Sequence, residues 1–327
     1  MLSRRELLQG LAGAGIASSL FAPHTAEASA RGFRFVHITD FHIQPELGAA
    51  DGVALAVKKL RALNPRPDFI ITGGDHVMDA LDVTRERAET QFRLFRETMK
   101  LLSNDPPGNK REEDTSRIPS KLDIPIYQTI GNHDVYGWTK RDGNASTEAG
   151  YGKKMFQEWY ALNRTYYSID FSDWHFIILD SIQPKASNSW RAEIDDAQLQ
   201  WLKDDLAQVG KTRPVVIVTH VPLMTLFTQL TESTLKANTD SGVVRNGKEV
   251  RDIFVSYNVK AVLQGHTHIV EECIYTDTRY ITSGAVCGEW WKGPRLGVHP
   301  EGFAVFDVKQ NSLKWEYVPY GWKARAN

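Results

Sequence analysis

Five short clusters carry the side chains that hold divalent cations and move protons. They are Asp40-Phe41-His42, Gly73-Gly74-Asp75, Gly131-Asn132-His133-Asp134, His220 and Gly265-His266-Thr267-His268, and each follows an apolar, β-branched run. Of ten histidines, five fall inside them. A lone Asp-x-His or an isolated histidine such as His37, His175 or His299 is ordinary, and these three read as hydrogen-bonded structural residues. Five clusters in series are not ordinary. Imidazole, carboxylate and amide oxygen, without thiolate, suit Mn, Fe or Zn rather than Mg or Ca, and two such ions about 3.5–4 Å apart would acidify a shared water and orient it for in-line attack on a phosphate. No side-chain nucleophile competes: G-x-S-x-G and a reactive cysteine context are both absent.

To bring Asp40 and His268 together across 228 positions, the chain needs a sheet whose strand ends converge. From Gly32 onward, β-branched runs alternate with helix-period segments, the pattern of an α/β protein. Strands are predicted at 33–39, 68–72, 124–130, 165–171, 174–180, 214–219, 260–264, 279–283, 302–308 and 313–319, and helices at 51–63, 83–102 and 197–208. Residues 103–120 and 141–152 read as surface loops. Residues 31–327 read as one domain. Ligands gather outside the carboxyl ends of strands in such sheets, and residues two apart on an extended segment point the same way. Asp40 with His42, and His266 with His268, would then face one centre. Gly73, Gly74, Gly131 and Gly265 would let the backbone turn away from each strand.

The length of 327 residues supplies ample core, and 42% hydrophobic with 24% charged residues excludes disordered and fibrous classes. With 39 basic against 40 acidic residues, the net charge of −1 offers no field for a nucleic-acid backbone or an anionic membrane. Ser3-Arg4-Arg5, a short apolar run from Leu7 to Ala22 and Ala28-Ser29-Ala30 describe a cleaved leader over 1–30. The paired arginines are similar to a twin-arginine signal, which implies the twin-arginine export machinery as a partner and a periplasmic or extracellular protein. Its apolar run is too short and too glycine-diluted for a membrane anchor. Cys273 and Cys287 read as two buried free thiols. A hairpin turn at 276–279 would set Cys273 opposite Thr282, out of reach of Cys287.

In order and spacing the five clusters resemble the calcineurin-like metallophosphoesterase superfamily. The resemblance implies a two-sheet β-sandwich flanked by helices, with two divalent metal ions at the strand ends. By position it implies Asp40, His42 and His268 on the first ion, Asn132, His220 and His266 on the second, and Asp75 bridging them. His133 would contact the phosphate and assist the leaving group. Asp134 would orient His133, or else cap its own loop. Two divalent ions, two carboxylates and a bridging hydroxide leave a charge of about +1, which favours a phosphate.

The Asp-Arg-Gly of Ser/Thr protein phosphatases is missing after Asp75, and Met78 stands where purple acid phosphatases carry a ligating Tyr. The remaining resemblance is to the bacterial branch that includes cyclic-nucleotide and glycerophosphodiester phosphodiesterases. The expected function is therefore phosphodiester hydrolysis of a small molecule by a metal-bridging hydroxide. Two alternatives stay open: phosphomonoester hydrolysis on nucleotides or sugar phosphates, and a non-catalytic exported binding protein. His76 and Asp79 are expected to fix Asp75 by hydrogen bonding. In Gly288-Glu289-Trp290-Trp291-Lys292-Gly293-Pro294 the paired indoles either wall a pocket or divide into one buried and one surface-packed ring.

Overall fold

Alternation within single strands builds the layers of the protein. In a computed structural model describing residues 32–102, 124–140, 145–186 and 188–325, strand β8 (Val215–Val218) sends Val216 and Val218 to one core and Val215 and Ile217 to another. Strand β1 (Phe33–Ile38) likewise splits Phe35 from Val36 and Ile38. This period-2 pattern buries both faces of each strand.

Two large sheets result. One has the order β13-β12-β1-β2-β3, with β2 at Phe69–Thr72, β3 at Ile126–Tyr127, β12 at Gly302–Lys309 and β13 at Ser312–Pro319. The other runs β10-β11-β9-β8-β5-β4, with β4 at Tyr167–Phe171, β5 at Trp174–Ile178, β9 at Val259–Gln264, β10 at Val270–Tyr275 and β11 at Thr278–Ser283. Strands β1, β2 and β3 run parallel, as do β5, β8, β9 and β11. A small ribbon of β6 (Ile182–Lys185) and β7 (Ser189–Ala192) stands apart.

The facing surfaces of the two sheets share one apolar core. At its centre Phe35 stacks on Phe69 and Phe306, with ring centroids at 5.2 and 4.7 Å, and meets Phe176 of the other sheet edge-on at 5.3 Å. Helices cover the outer faces. Helices α1 (Ala49–Arg61) and α2 (Arg85–Met99) bring Val53, Val57, Leu60, Phe95 and Met99 against Val36, Ile38 and Ile70. Helices α4 (Asp196–Val209) and α6 (Gly247–Phe254) bring Leu199, Leu202, Leu206, Val250 and Phe254 against Ile177, Val215, Ile217 and Val262. Thr84 and Asp195 cap α2 and α4 by accepting the N–H of Arg87 and Gln198. The α/β sandwich flanked by helices is the expected architecture.

Several boundaries differ from expectation. Strand β3 covers two residues because beyond it Gln128 N donates to the Tyr167 hydroxyl and Thr129 N to Thr72 Oγ1, side-chain oxygens in place of a neighbouring strand's carbonyls. The β6–β7 ribbon, helix α3 (Lys154–Tyr160) and helix α5 (Phe227–Thr231) were not anticipated. The hairpin β10–β11 turns on two left-handed residues, Thr276 and Asp277 with φ 45° and 63°, so Cys273 pairs with Tyr280 rather than Thr282. Both cysteines are free; Cys287 is buried and Cys273 half-buried. The leader over 1–30, the loop at 103–120 and residues 141–144 of the second loop lie outside the described residues. Among the described residues no helix is long and apolar enough to cross a membrane.

Candidate metal centre

All five clusters sit just past the carboxyl ends of β1, β2, β3, β8 and β9. Their side chains converge by a route other than the extended backbone expected. Asp40, His42, Asp75, His266 and His268 all have left-handed φ, at 57°, 40°, 52°, 71° and 62°. Each costs of order 1–3 kcal/mol in a non-glycine residue and persists where surroundings fix it. Here Asp40 N donates to Gly74 O at 3.0 Å, and His42 N to Asp75 O at 3.0 Å, so the first two loops hold each other. Of the four glycines, only Gly74 turns the chain, with φ 99°. Gly73, Gly131 and Gly265 are needed for close approach instead: a Cβ on them would collide with Thr39, with Asp75, and with Thr39 and Asp40.

Two groups of ligand atoms form around one carboxylate. In the first, His268 Nε2 lies 3.1 Å from His42 Nε2 and 3.3 Å from Asp40 Oδ1. In the second, His220 Nε2 lies 3.2 Å from Asn132 Oδ1, and His266 joins His220 and Asp75 within ligating distance of one another. Asp75 Oδ2 reaches both, 3.5 Å from His42 Nε2 and 3.1 Å from His220 Nε2.

The donor chemistry fits cations. The Nδ1–H of His268 is spent on Gly288 O at 2.7 Å, and that of His220 on Gly73 O at 2.8 Å. Each ring, when neutral, therefore turns a bare lone pair at Nε2 toward carboxylate and amide oxygens. Acceptors facing acceptors repel unless a positive charge sits among them, and an imidazole tied by its other nitrogen to a carbonyl is the usual posture of a metal ligand. The electrostatics show the same demand for positive charge, met by protons on the His220 and His268 rings when no cation is bound. Burial opposes the charge on Asp40, but His268 overcomes it and holds the carboxyl at about 2. Burial likewise disfavours a charged His220, yet Asp75 pulls its pKa up to about 9. Burial pushes His37 down to about 3, and its Nδ1 meets Ser283 Oγ at 2.8 Å, a structural role as expected.

Cys287 completes a nominal cluster with His42 and His268. Its Sγ lies 3.7 Å from His268 Nδ1, the nitrogen already bonded to Gly288, so the thiol stands behind the ring. Burial raises its pKa and keeps it neutral.

His133 is half-buried, its ring edge-on to His42 at 4.7 Å, its Nδ1 buried without a partner, and it gathers with His42 and Asp75 as a third possible ligand group. Its backbone N–H donates to Asp75 Oδ1 at 2.9 Å. Asp134 does not orient it. The Asp134 carboxylate accepts the N–H groups of Gly131, His76 and Val77, which makes it the cap joining the second and third loops. Burial and the charge of Asp75 raise its pKa to about 8.

His76 and Asp79 do not bond Asp75. His76 Nε2 pairs with Thr72 Oγ1 at 2.8 Å while its ring stacks on Phe95 and Phe156, and Asp79 Oδ1 caps the turn at Leu81. The paired indoles divide: Trp291 is buried, and Trp290 is half-buried beside His268 at 4.8 Å. Sequence reasoning missed Thr39, whose hydroxyl donates to Asp40 Oδ2 at 2.7 Å, and Trp190 of β7, edge-on to His266 at 5.9 Å. Thr39 adjoins its cluster and was findable; nothing around Trp190 signals a neighbour 76 positions away.

Comparison with known proteins agrees with this geometry. Curated relatives include the "Serine/threonine-protein phosphatase CPPED1" of Rattus norvegicus, 26% identical over 264 residues, and of Homo sapiens, 24% identical over 274 residues. Each alignment spans 80% of this chain and 71% of the relative. Among solved structures, "GAP50 the anchor in the inner membrane complex of Plasmodium" shares the fold with a TM-score of 0.51 at 17% identity, over 88% of this chain and 85% of that one. The family model for Calcineurin-like phosphoesterase matches residues 33–270, a span that holds all five clusters, and the chain belongs to that metal-dependent family of phosphoester hydrolases.

Proposed function

We propose that the chain hydrolyses phosphate esters with two divalent cations, Asp40, His42 and His268 holding one, Asn132, His220 and His266 the other, and Asp75 shared. The observation that carries this is the single oxygen, Asp75 Oδ2, within 3.5 Å of a ligand nitrogen in each group. When bound, such ions supply an acidified water and neutralise phosphate oxygens. The chain's own residues then fix geometry. Gly73 O and Gly288 O hold His220 and His268 in the tautomer with Nε2 free, and Asp134 keeps the loops bearing Asp75 and His133 in register. His133, half-buried beside His42, contacts the phosphate and protonates the leaving oxygen.

The substrate is a small-molecule phosphoester. The relatives' names, serine/threonine-protein phosphatase, favour a monoester carried by a protein, while the lack of Asp-Arg-Gly after Asp75 speaks against a phosphoprotein and leaves small-molecule mono- and diesters. Hydrolysis of p-nitrophenyl phosphate beside bis-p-nitrophenyl phosphate, with Mn supplied and Asp75→Asn as control, separates them. Turnover of one ester that vanishes in the variant assigns it, and absence of metal-dependent turnover on both favours a binding protein. The paired arginines and Ala28-Ser29-Ala30 support export to the periplasm or beyond. A secreted chain beginning near Arg31 is the expected result, and an intact Met1 in the exported fraction overturns it.

A further inference from the structure

Residues 286–291, which follow β11, lie outside the span matched by the family. Their contacts fall on one of the two ligand groups. Val286 N donates to Thr39 O at 3.0 Å and Cys287 N to Asp40 O at 3.1 Å. Gly288 O accepts the Nδ1–H of His268 at 2.7 Å. The indole N–H of Trp291 donates to the carbonyl of His42 at 2.9 Å, and the Trp290 ring lies 4.8 Å from His268 and 6.2 Å from His42. Among the described residues, no hydrogen bond from this segment reaches Asn132, His220 or His266.

The segment is strained and anchored. Trp290 and Trp291 are consecutive left-handed residues, φ 47° and 70°, a conformation that bulky side chains adopt only under constraint. The constraint comes from both sides. Trp291 is 1% exposed, fills the space left by the missing side chain of Gly52 and meets Trp322 edge-on at 5.4 Å. Arg295 covers Trp290 at 5.1 Å and is itself held by Glu289 at 2.6 Å. His42, whose carbonyl takes the indole N–H, is left-handed too, so that bond fixes the turn from which its imidazole projects.

We propose that residues 286–291 are a clamp that fixes Asp40, His42 and His268 separately from the other group, with Trp290 and Trp291 as positioning residues for the cation held there. This rests on the two-cation reading above. Groups that orient ligands typically change metal affinity by about 10–100-fold when removed.

The test is Mn binding to the full, chelator-stripped chain, followed by titration calorimetry and by Mn content after dialysis. Trp291→Phe keeps an aromatic ring and removes the N–H. It should weaken one of two binding steps by about tenfold or more and leave the other unchanged. Trp290→Ala, at a half-exposed ring, should weaken the same step, and it decides the matter if Trp291→Phe does not fold. Trp322→Phe, which packs on Trp291 but touches no ligand, should leave both steps as they are. Two steps in the wild type that neither indole variant alters, or that both fall together, overturn the clamp alone. A wild type that binds fewer than two ions overturns the two-cation reading and the clamp with it.

Discussion

His220 turns Nε2 toward Asp75 Oδ2 at 3.1 Å, although its Nδ1–H is already committed to Gly73 O. A neutral imidazole in this pose offers a lone pair to a carboxylate, so the pair calls for positive charge between them, from a proton on the ring or from a bound cation. Asp75→Asn removes the one carboxylate that both ligand groups share and should lower Mn-dependent turnover by at least about 100-fold, with Mn content per chain falling in parallel. Ester hydrolysis and metal content measured on one preparation check this.

His133 adjoins the ligands, its ring within 4.8 Å of His42 and Asp75 ligand atoms, and its Nδ1 has no partner. His133→Asn should therefore lower kcat by about 100-fold or more, the range of general acid–base catalysis, while Mn stoichiometry stays that of the wild type. Loss of metal together with turnover would make His133 a ligand instead.

Asp134 accepts three buried N–H groups, from Gly131, His76 and Val77. Each unsatisfied buried donor costs about 1–3 kcal/mol, so Asp134→Ala should reduce unfolding free energy by at least about 3 kcal/mol. Urea denaturation with an unchanged m-value is the measurement.

His175 places both ring nitrogens on carboxylates, Nδ1 at 2.7 Å from Asp170 Oδ1 and Nε2 at 2.8 Å from Asp205, with Arg213 sharing the same Asp170 oxygen at 3.0 Å. Burial disfavours its charge, but the two carboxylates outweigh burial and raise its pKa. Because the folded value lies above the unfolded value of about 6.5, the added stability is complete below about pH 6.5 and is lost as pH rises through the folded value. His175→Gln should flatten the fall in Tm with rising pH across that window. An unchanged slope would assign the fall elsewhere.

Phe35 is fully buried between the sheets. Phe35→Ala should cost about 3–5 kcal/mol through lost burial and the cavity left behind, read as a lower urea midpoint.

Strands β1, β2, β8 and β9 were legible because each is an apolar, β-branched run buried on both faces. The ribbon β6–β7 was not: Pro184 and exposed Lys185 break its apolar signal. The residues that converge at the site were legible from type and order. Their backbone was not, since Asp and His do not announce a left-handed turn as glycine does; loop-to-loop hydrogen bonds between Asp40, His42 and the Gly74-Asp75 backbone impose it. The acceptor of the Trp291 indole lies 249 positions away, and local pattern carries nothing over that distance.

Each ligand group takes donors from both leaves of the sandwich. Asp40, His42, Asp75 and Asn132 follow strands of the first sheet, and His220, His266 and His268 follow strands of the second. Neither leaf alone presents a complete set, so a cation bound there would act as a rivet between them. Each tenfold rise in free ion above its dissociation constant would then add about 1.4 kcal/mol against the leaves separating.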